Sequence, residues 1–248
     1  MTRTRAQTTS DHTHAAAGQG QQGVAVPAGV LLMLILAVLA LPGLAARYWA
    51  DGHLSLVYSI LCVFFAVNLL ICWWEVCLYF RRDYIEKRAR YWRQRRNETG
   101  RSPVLAFVLS RVPLKRAFSL TVWANVWAAY AEYDDSYMDR RSYGFNVDVA
   151  NGFATPLPTL ALYAAYAFEF IPAFAAGILG TVLFWQWLYM TSAYFLSFAV
   201  AKRYARLSGR EICIYILAMN SGWILCPILG LFVSIDLIVS GSYSALGY

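Results

Sequence analysis

Long stretches of this chain carry no charge at all. Residues 27–46, 149–168, 170–201 and 212–235 lack Asp, Glu, Lys and Arg, and residues 54–80 contain only Glu75. Crossing a hydrocarbon core about 30 Å thick takes roughly 20 apolar residues of helix, and each stretch is that long. Inside a bilayer the backbone polar groups must be satisfied without water, which selects helices over loops or open sheet. The chain is therefore expected to fold as an all-α, polytopic transmembrane helix bundle. Of its 248 residues 59% are hydrophobic and 14% charged, against roughly 25% charged in soluble domains. A cytosolic globule, a disordered chain and a secreted disulfide scaffold are excluded.

Five spans are read along the chain. Residues 1–23 show no periodicity and are expected to be a disordered N-terminal tail, leaving 24–248 as one integral membrane domain. The first span runs from Val30 to Ala46 and the second over about 54–80, ending at Arg81-Arg82. Residues 149–201 hold two more, separated at Ile171-Pro172, with Pro156 and Pro158 kinking the first of the pair. The last runs from about Ile212 to Ile238 around Pro227. Residues 117–131 would cross as a sixth span only at a marginal ~22 Å. Trp123 and Trp127, four apart, suggest instead an interfacial amphipathic helix.

The net charge of +7 is local. Segment 81–116 holds 12 Lys/Arg against 3 Asp/Glu, a net of +9, so the remainder sums to −2. Because this segment follows a membrane span, anionic lipid headgroups are its expected partner rather than nucleic acid. With five spans, 81–116 and Lys202 to Arg210 fall on one side, which the positive-inside rule makes cytoplasmic together with the N-terminus. Glu132, Asp134, Asp135 and Asp139 lack the Gly and terminal Glu of an EF-hand and are expected to form a solvated, salt-bridged loop with Arg140 and Arg141. No metal or cofactor is expected. The five cysteines form no CxxC and lie in apolar runs, as small packing residues do. Glu169 and Asp236, near span ends, are read as interfacial carboxylates.

Polar residues in the last span need partners. Asn220 and Trp223 stand three apart, hence on one helical face, and an Asn amide in hydrocarbon must face the bundle or a cavity. An interhelical hydrogen bond with Trp223 packed beside it is one reading. The string Met219-Asn220-Ser221-Gly222-Trp223-Ile224-Leu225-Cys226-Pro227 also resembles the last-helix motif MNxxWxxxP of the emopamil-binding/EXPERA family, which includes sterol Δ8–Δ7 isomerases and sigma-2-receptor-like proteins. Tyr189-Met190-Thr191-Ser192-Ala193-Tyr194-Phe195 is similar to that family's YGDxxYF, with Thr191 in place of its Asp. Residues Trp127 to Tyr137 are similar to its WxxYxxxDxxY, and an ungapped count onward places its membrane glutamate at Asp148. The resemblance covers about 123–240.

It implies a central pocket for a sterol- or isoprenoid-like lipid, lined by Asn220, Trp223, Tyr189, Tyr194 and Asn68, with Asp148 as the candidate proton carrier at the edge of its helix. Isomerisation of a carbon–carbon double bond also needs a second proton-moving group in an apolar pocket. The overlay puts Asn68 and Cys72 where the family's isomerases carry His and Glu, and Glu75 takes that place only if the register shifts. The expected function is therefore lipid binding rather than isomerisation. The alternative is a structural or accessory subunit of a membrane complex, and an active isomerase is the third reading.

Overall fold

The computed structural model describes residues 24–247, so the expected N-terminal tail lies outside the described residues. A short strand β1 (Ala25–Pro27) leads into α1 (Ala28–Asp51), followed by α2 (Leu56–Phe80), α3 (Arg82–Thr99) and α4 (Pro103–Leu109). Strand β2 (Arg111–Pro113), α5 (Leu120–Tyr130), α6 (Tyr143–Ala154), α7 (Pro156–Phe168) and α8 (Ala173–Val200) come next. A single turn, α9 (Gly209–Glu211), then passes through a π-helical stretch, Ile212–Ala218, into α10 (Met219–Ser240).

Four helices are long and apolar enough to cross a membrane: Ala28–Asp51, Leu56–Phe80, Ala173–Val200 and Gly209–Ser240. The protein is thus an almost wholly α-helical membrane bundle. The span expected over 149–168 is divided at Thr155, the N-cap of α7, so α6 and α7 are 12 and 13 residues long. Pro156 explains the break, because at the first helical position it needs no N–H partner. Residues 117–131 do not make a sixth span. Helix α5 has 11 residues, about 16 Å, too short to cross, and its tryptophans are turned into the protein. Trp123 is fully buried and donates to Ala117 O at 2.6 Å, while Trp127 donates to Trp74 O at 2.7 Å.

Helix α2 is the most buried of the long helices and packs against α1, α5, α6, α7 and α10. Helix α1 lies at the periphery and turns Met33, Leu34, Val38 and Leu41 outward. The closest helix pair is α8 with α10. A Cβ on Gly177 would meet Ser234 O at 2.6 Å, and one on Gly180 would meet Ser234 Oγ. Lipid tails give helices no hydrophobic reason to associate, so small residues that admit close backbone approach hold such pairs together.

Ion pairs gather at the two ends of the bundle. At one end Arg93 pairs with Glu132 (3.1 Å), Arg96 with Glu211, Arg206 with Asp135 (3.0 Å), and Arg140 with Glu86 (2.9 Å) and Asp83. The basic segment, the acidic stretch and the loop after α8 therefore meet there. The acidic stretch is salt-bridged as expected but only partly solvated: Asp134 is fully buried and Glu132 nearly so. At the far end Arg47 pairs with Glu169 (2.8 Å) and Asp51 (2.7 Å), and Tyr243 donates to Ile171 O.

Gly177→Leu is expected to lower stability by about 1–3 kcal/mol, the cost of overpacking, because the opposing atom is backbone. Gly222, whose Cβ would meet nothing within 4 Å, should accept leucine without loss. Thermal unfolding in detergent micelles compares the two.

Candidate functional site

The site begins on α2. Asn68, Cys72 and Glu75 stand at i, i+4 and i+7 and are all buried, so one face of this apolar helix is polar and turned inward. Helix α6 answers with Asn151, whose amide donates to Glu75 Oε2 at 2.7 Å, and Thr155 at the α6–α7 junction lies 3.3 Å from Cys72 Sγ. Gly152 permits this approach, since a Cβ there would meet Glu75 Cβ at 2.7 Å. Asn68 donates to Thr159 Oγ1 (3.4 Å) and accepts from Trp223 Nε1 (3.1 Å).

Between these helices and α5, α8 and α10 lies a cavity enclosing about 860 Å³ with its open mouth included. Its walls include Trp74 and Glu75 of α2, Trp127 and Tyr130 of α5, Asp148 and Asn151 of α6, and Trp187, Thr191 and Tyr194 of α8. Met219, Asn220 and Trp223 of α10 complete it, with Tyr137. Phe64 backs the aromatic wall, edge-on to Trp187 at 5.2 Å and to Trp223 at 6.1 Å.

Asn220, Trp223, Tyr194 and Asp148, expected together from the sequence, all line this cavity. Asn68 lies behind the wall and holds the indole of Trp223. Tyr189 does not line it: its side chain is 60% exposed on the outward face of α8, stacked on Trp185. The reason is angular, because the cavity-lining residues Trp187, Met190, Thr191 and Tyr194 define a face that Tyr189 misses. Asp148 is not at the edge of its helix, since α6 begins five residues earlier at Tyr143.

Glu75, weighed in the sequence only under a shifted register and not placed in the expected pocket lining, belongs to the site. It lines the same cavity as Asp148. Its signal was available, as the one charge in residues 54–80. Its partner Asn151 carried none, because the pairing depends on how α6 lies against α2. Asn220 uses its amide group on Ile216 O (2.8 Å) and Tyr130 Oη (3.4 Å), while its Oδ1 accepts no hydrogen bond among the described residues. One polar chain leaves the cavity toward the basic end: Tyr194 donates to Asp134 Oδ2 at 2.8 Å, and Arg203 Nε lies 3.6 Å from Asp134 Oδ1.

Among the described residues, no three His, Cys, Asp or Glu side chains gather as metal ligands, and the acidic stretch is paired with arginines instead. No family model, curated protein or solved structure matches this chain. The site's chemistry rests on its own geometry.

Asp134→Ala strips the acceptor from Tyr194 and one counter-charge from Arg203. Breaking a buried charge pair costs about 3–5 kcal/mol. A marked fall in unfolding temperature is expected, whereas Asp139→Ala, at an exposed site, should leave it nearly unchanged.

Proposed function

We propose that the protein is an intramembrane receptor for an apolar, sterol- or isoprenoid-like lipid held in this cavity. One observation carries the reading. Five helices and the segment between α5 and α6 direct four tryptophans, three tyrosines, Asn220 and two carboxyl groups onto one space within an apolar bundle. Ligand pockets are mostly apolar with a few placed polar groups. The indole faces suit a rigid hydrocarbon body, and Asn220 Oδ1 with the two carboxyls suits its one polar or cationic group. The resemblance to the EXPERA motifs points the same way, since Asn220, Trp223 and Tyr194 are the residues that carry it.

In this reading α6 and α7 cross as one broken helix, making five passes, with the N-terminus and the basic end in the cytoplasm. Support comes from the gathering of 81–116 and 202–211 at one end and the positive-inside rule. The test of ligand binding is lipid extraction from purified protein followed by mass spectrometry. A neutral apolar lipid should be retained by the parent chain and by Tyr189→Ala, and reduced about tenfold by Trp223→Ala, a loss of about 1.4 kcal/mol. Equal lipid content in all three would refute the pocket. A stoichiometric protein partner in its place would favour the accessory-subunit reading.

A second reading, double-bond isomerisation, is favoured by Glu75 and Asp148 facing one cavity. The reaction adds a proton to one alkene carbon and removes one from a neighbouring carbon, so it needs one protonated and one ionised carboxyl and consumes no net proton. Trp223 and Asn220 Oδ1 would steady the intervening carbocation. In deuterated water, deuterium should enter an unsaturated sterol. Glu75→Gln and Asp148→Asn should each slow this about 10²–10⁴-fold. Retention of bound lipid without exchange in the parent chain leaves the receptor and eliminates the enzyme.

A further inference from the structure

Anionic lipid was expected along all of 81–116, but the structure divides that segment into two unlike parts. In α3 several cations already have partners within the protein. Arg93 and Arg96 pair with Glu132 and Glu211, Arg88 lies 3.7 Å over the Tyr91 ring, and Asp83 and Glu86 are matched by Arg140. Lys87, Arg90 and Arg95 of α3 join no ion pair among the described residues, but they share their helix with Asp83, Glu86 and Glu98. From Arg101 to Arg116, by contrast, there is no acidic residue. Four cations, Arg101, Arg111, Lys115 and Arg116, occur with no acidic residue between Glu98 and Glu132. Among the described residues none of the four joins an ion pair, and Arg111 donates to the backbone oxygen of Ala25.

Apolar side chains flank these cations and also point outward. Leu109 and Leu114 are exposed, and Phe118 is 80% exposed. A soluble surface rarely combines unpaired cations with protruding Leu and Phe, whereas a surface resting in lipid headgroups needs both.

The depth of this turn in the membrane is set by the fold. Strand β2 pairs with β1 so that Arg111 lies opposite Pro27, and Ala28, the first residue of α1, donates to Ser110 O at 2.8 Å. Leu114 N donates to Val24 O at 3.0 Å. The cations are therefore fastened where a 24-residue apolar helix begins. Such a helix is about 36 Å long and covers the hydrocarbon core, which puts its first residue among the phosphates. From inside, Trp123 Nε1 holds Ala117 O at 2.6 Å, so the turn is fixed rather than a loose basic tail.

We propose that the turn Leu109–Phe118 is a binding surface for anionic phospholipid, its cations meeting headgroup phosphate while Leu114 and Phe118 enter the acyl region. The proposal rests on α1 crossing the membrane and is independent of the central cavity.

The test uses the full chain in nanodiscs of phosphatidylcholine with and without phosphatidylglycerol. The readouts are unfolding temperature and the phosphatidylglycerol retained after detergent extraction. The variants are Lys115→Gln/Arg116→Gln in the turn and Arg90→Gln/Arg95→Gln on the exposed face of α3, which remove equal charge. All four side chains are exposed, so both variants should fold. Phosphatidylglycerol should stabilise the parent chain, and inorganic phosphate should not replace it. The turn variant should retain about fivefold less of this lipid, while the α3 variant retains as much as the parent. Equal losses in both variants would reduce the effect to net charge and overturn the proposal, as would a loss confined to α3 or none in either. Stabilisation of the parent by inorganic phosphate alone would overturn the lipid as ligand.

Discussion

A polar side chain in hydrocarbon must find its partner within the protein, and most of this architecture follows from that demand on α2. Asn68, Cys72 and Glu75 give an otherwise apolar helix one hydrogen-bonding face. Left toward lipid, each group would forfeit its hydration without compensation. Asn151, Thr155 and Thr159 of α6 and α7 meet that face, and Trp223 of α10 reaches Asn68. The helices that satisfy α2 are thereby brought around a common space, and the cavity is what remains between them. Pocket and packing have one cause.

A second constraint acts outside the hydrocarbon. Arg93, Arg96, Arg203 and Arg206 tie three loops together through Glu132, Glu211, Asp134 and Asp135. Surface ion pairs contribute little individually, but Asp134 is fully buried and also accepts from Tyr194, a wall of the cavity. The Tyr194 side of the pocket is thus joined directly to the ionic end of the bundle. At the far end the small residues between α8 and α10 do the equivalent work with van der Waals contact.

Much of the fold was legible because bilayer thickness converts composition into structure. Three of the charge-free runs, and the run 54–80 with its single Glu75, became helices long enough to cross a membrane, and Pro172 marks the start of α8 where the Ile171-Pro172 break was expected. Reading failed where polarity and length competed with packing. Residues 117–131 have membrane-like composition, yet α5 is held inside the protein by Trp123 and Trp127. The acidic stretch has the composition of a solvated loop, yet Arg203 draws Asp134 inward. Periodicity could assign Asn220 and Trp223 to one face, but Tyr189 needed the actual angle of α8.

The resemblance to the EXPERA motifs grouped Tyr194 and Asp148 with Asn220 and Trp223. By itself the sequence determined that the chain carries apolar segments of membrane-crossing length and that Asn220 and Trp223 share a helical face. These last follow from local properties: the length of apolar runs and helical spacing. Only the tertiary structure decided that Glu75 lines the same cavity as Asp148, that Asn68 positions an indole rather than facing the cavity, and that Arg93 and Arg96 of α3 are matched by Glu132 and Glu211. Those facts are pairings across 39 to 155 residues. Each is fixed by which helices pack together, which no window along the chain contains.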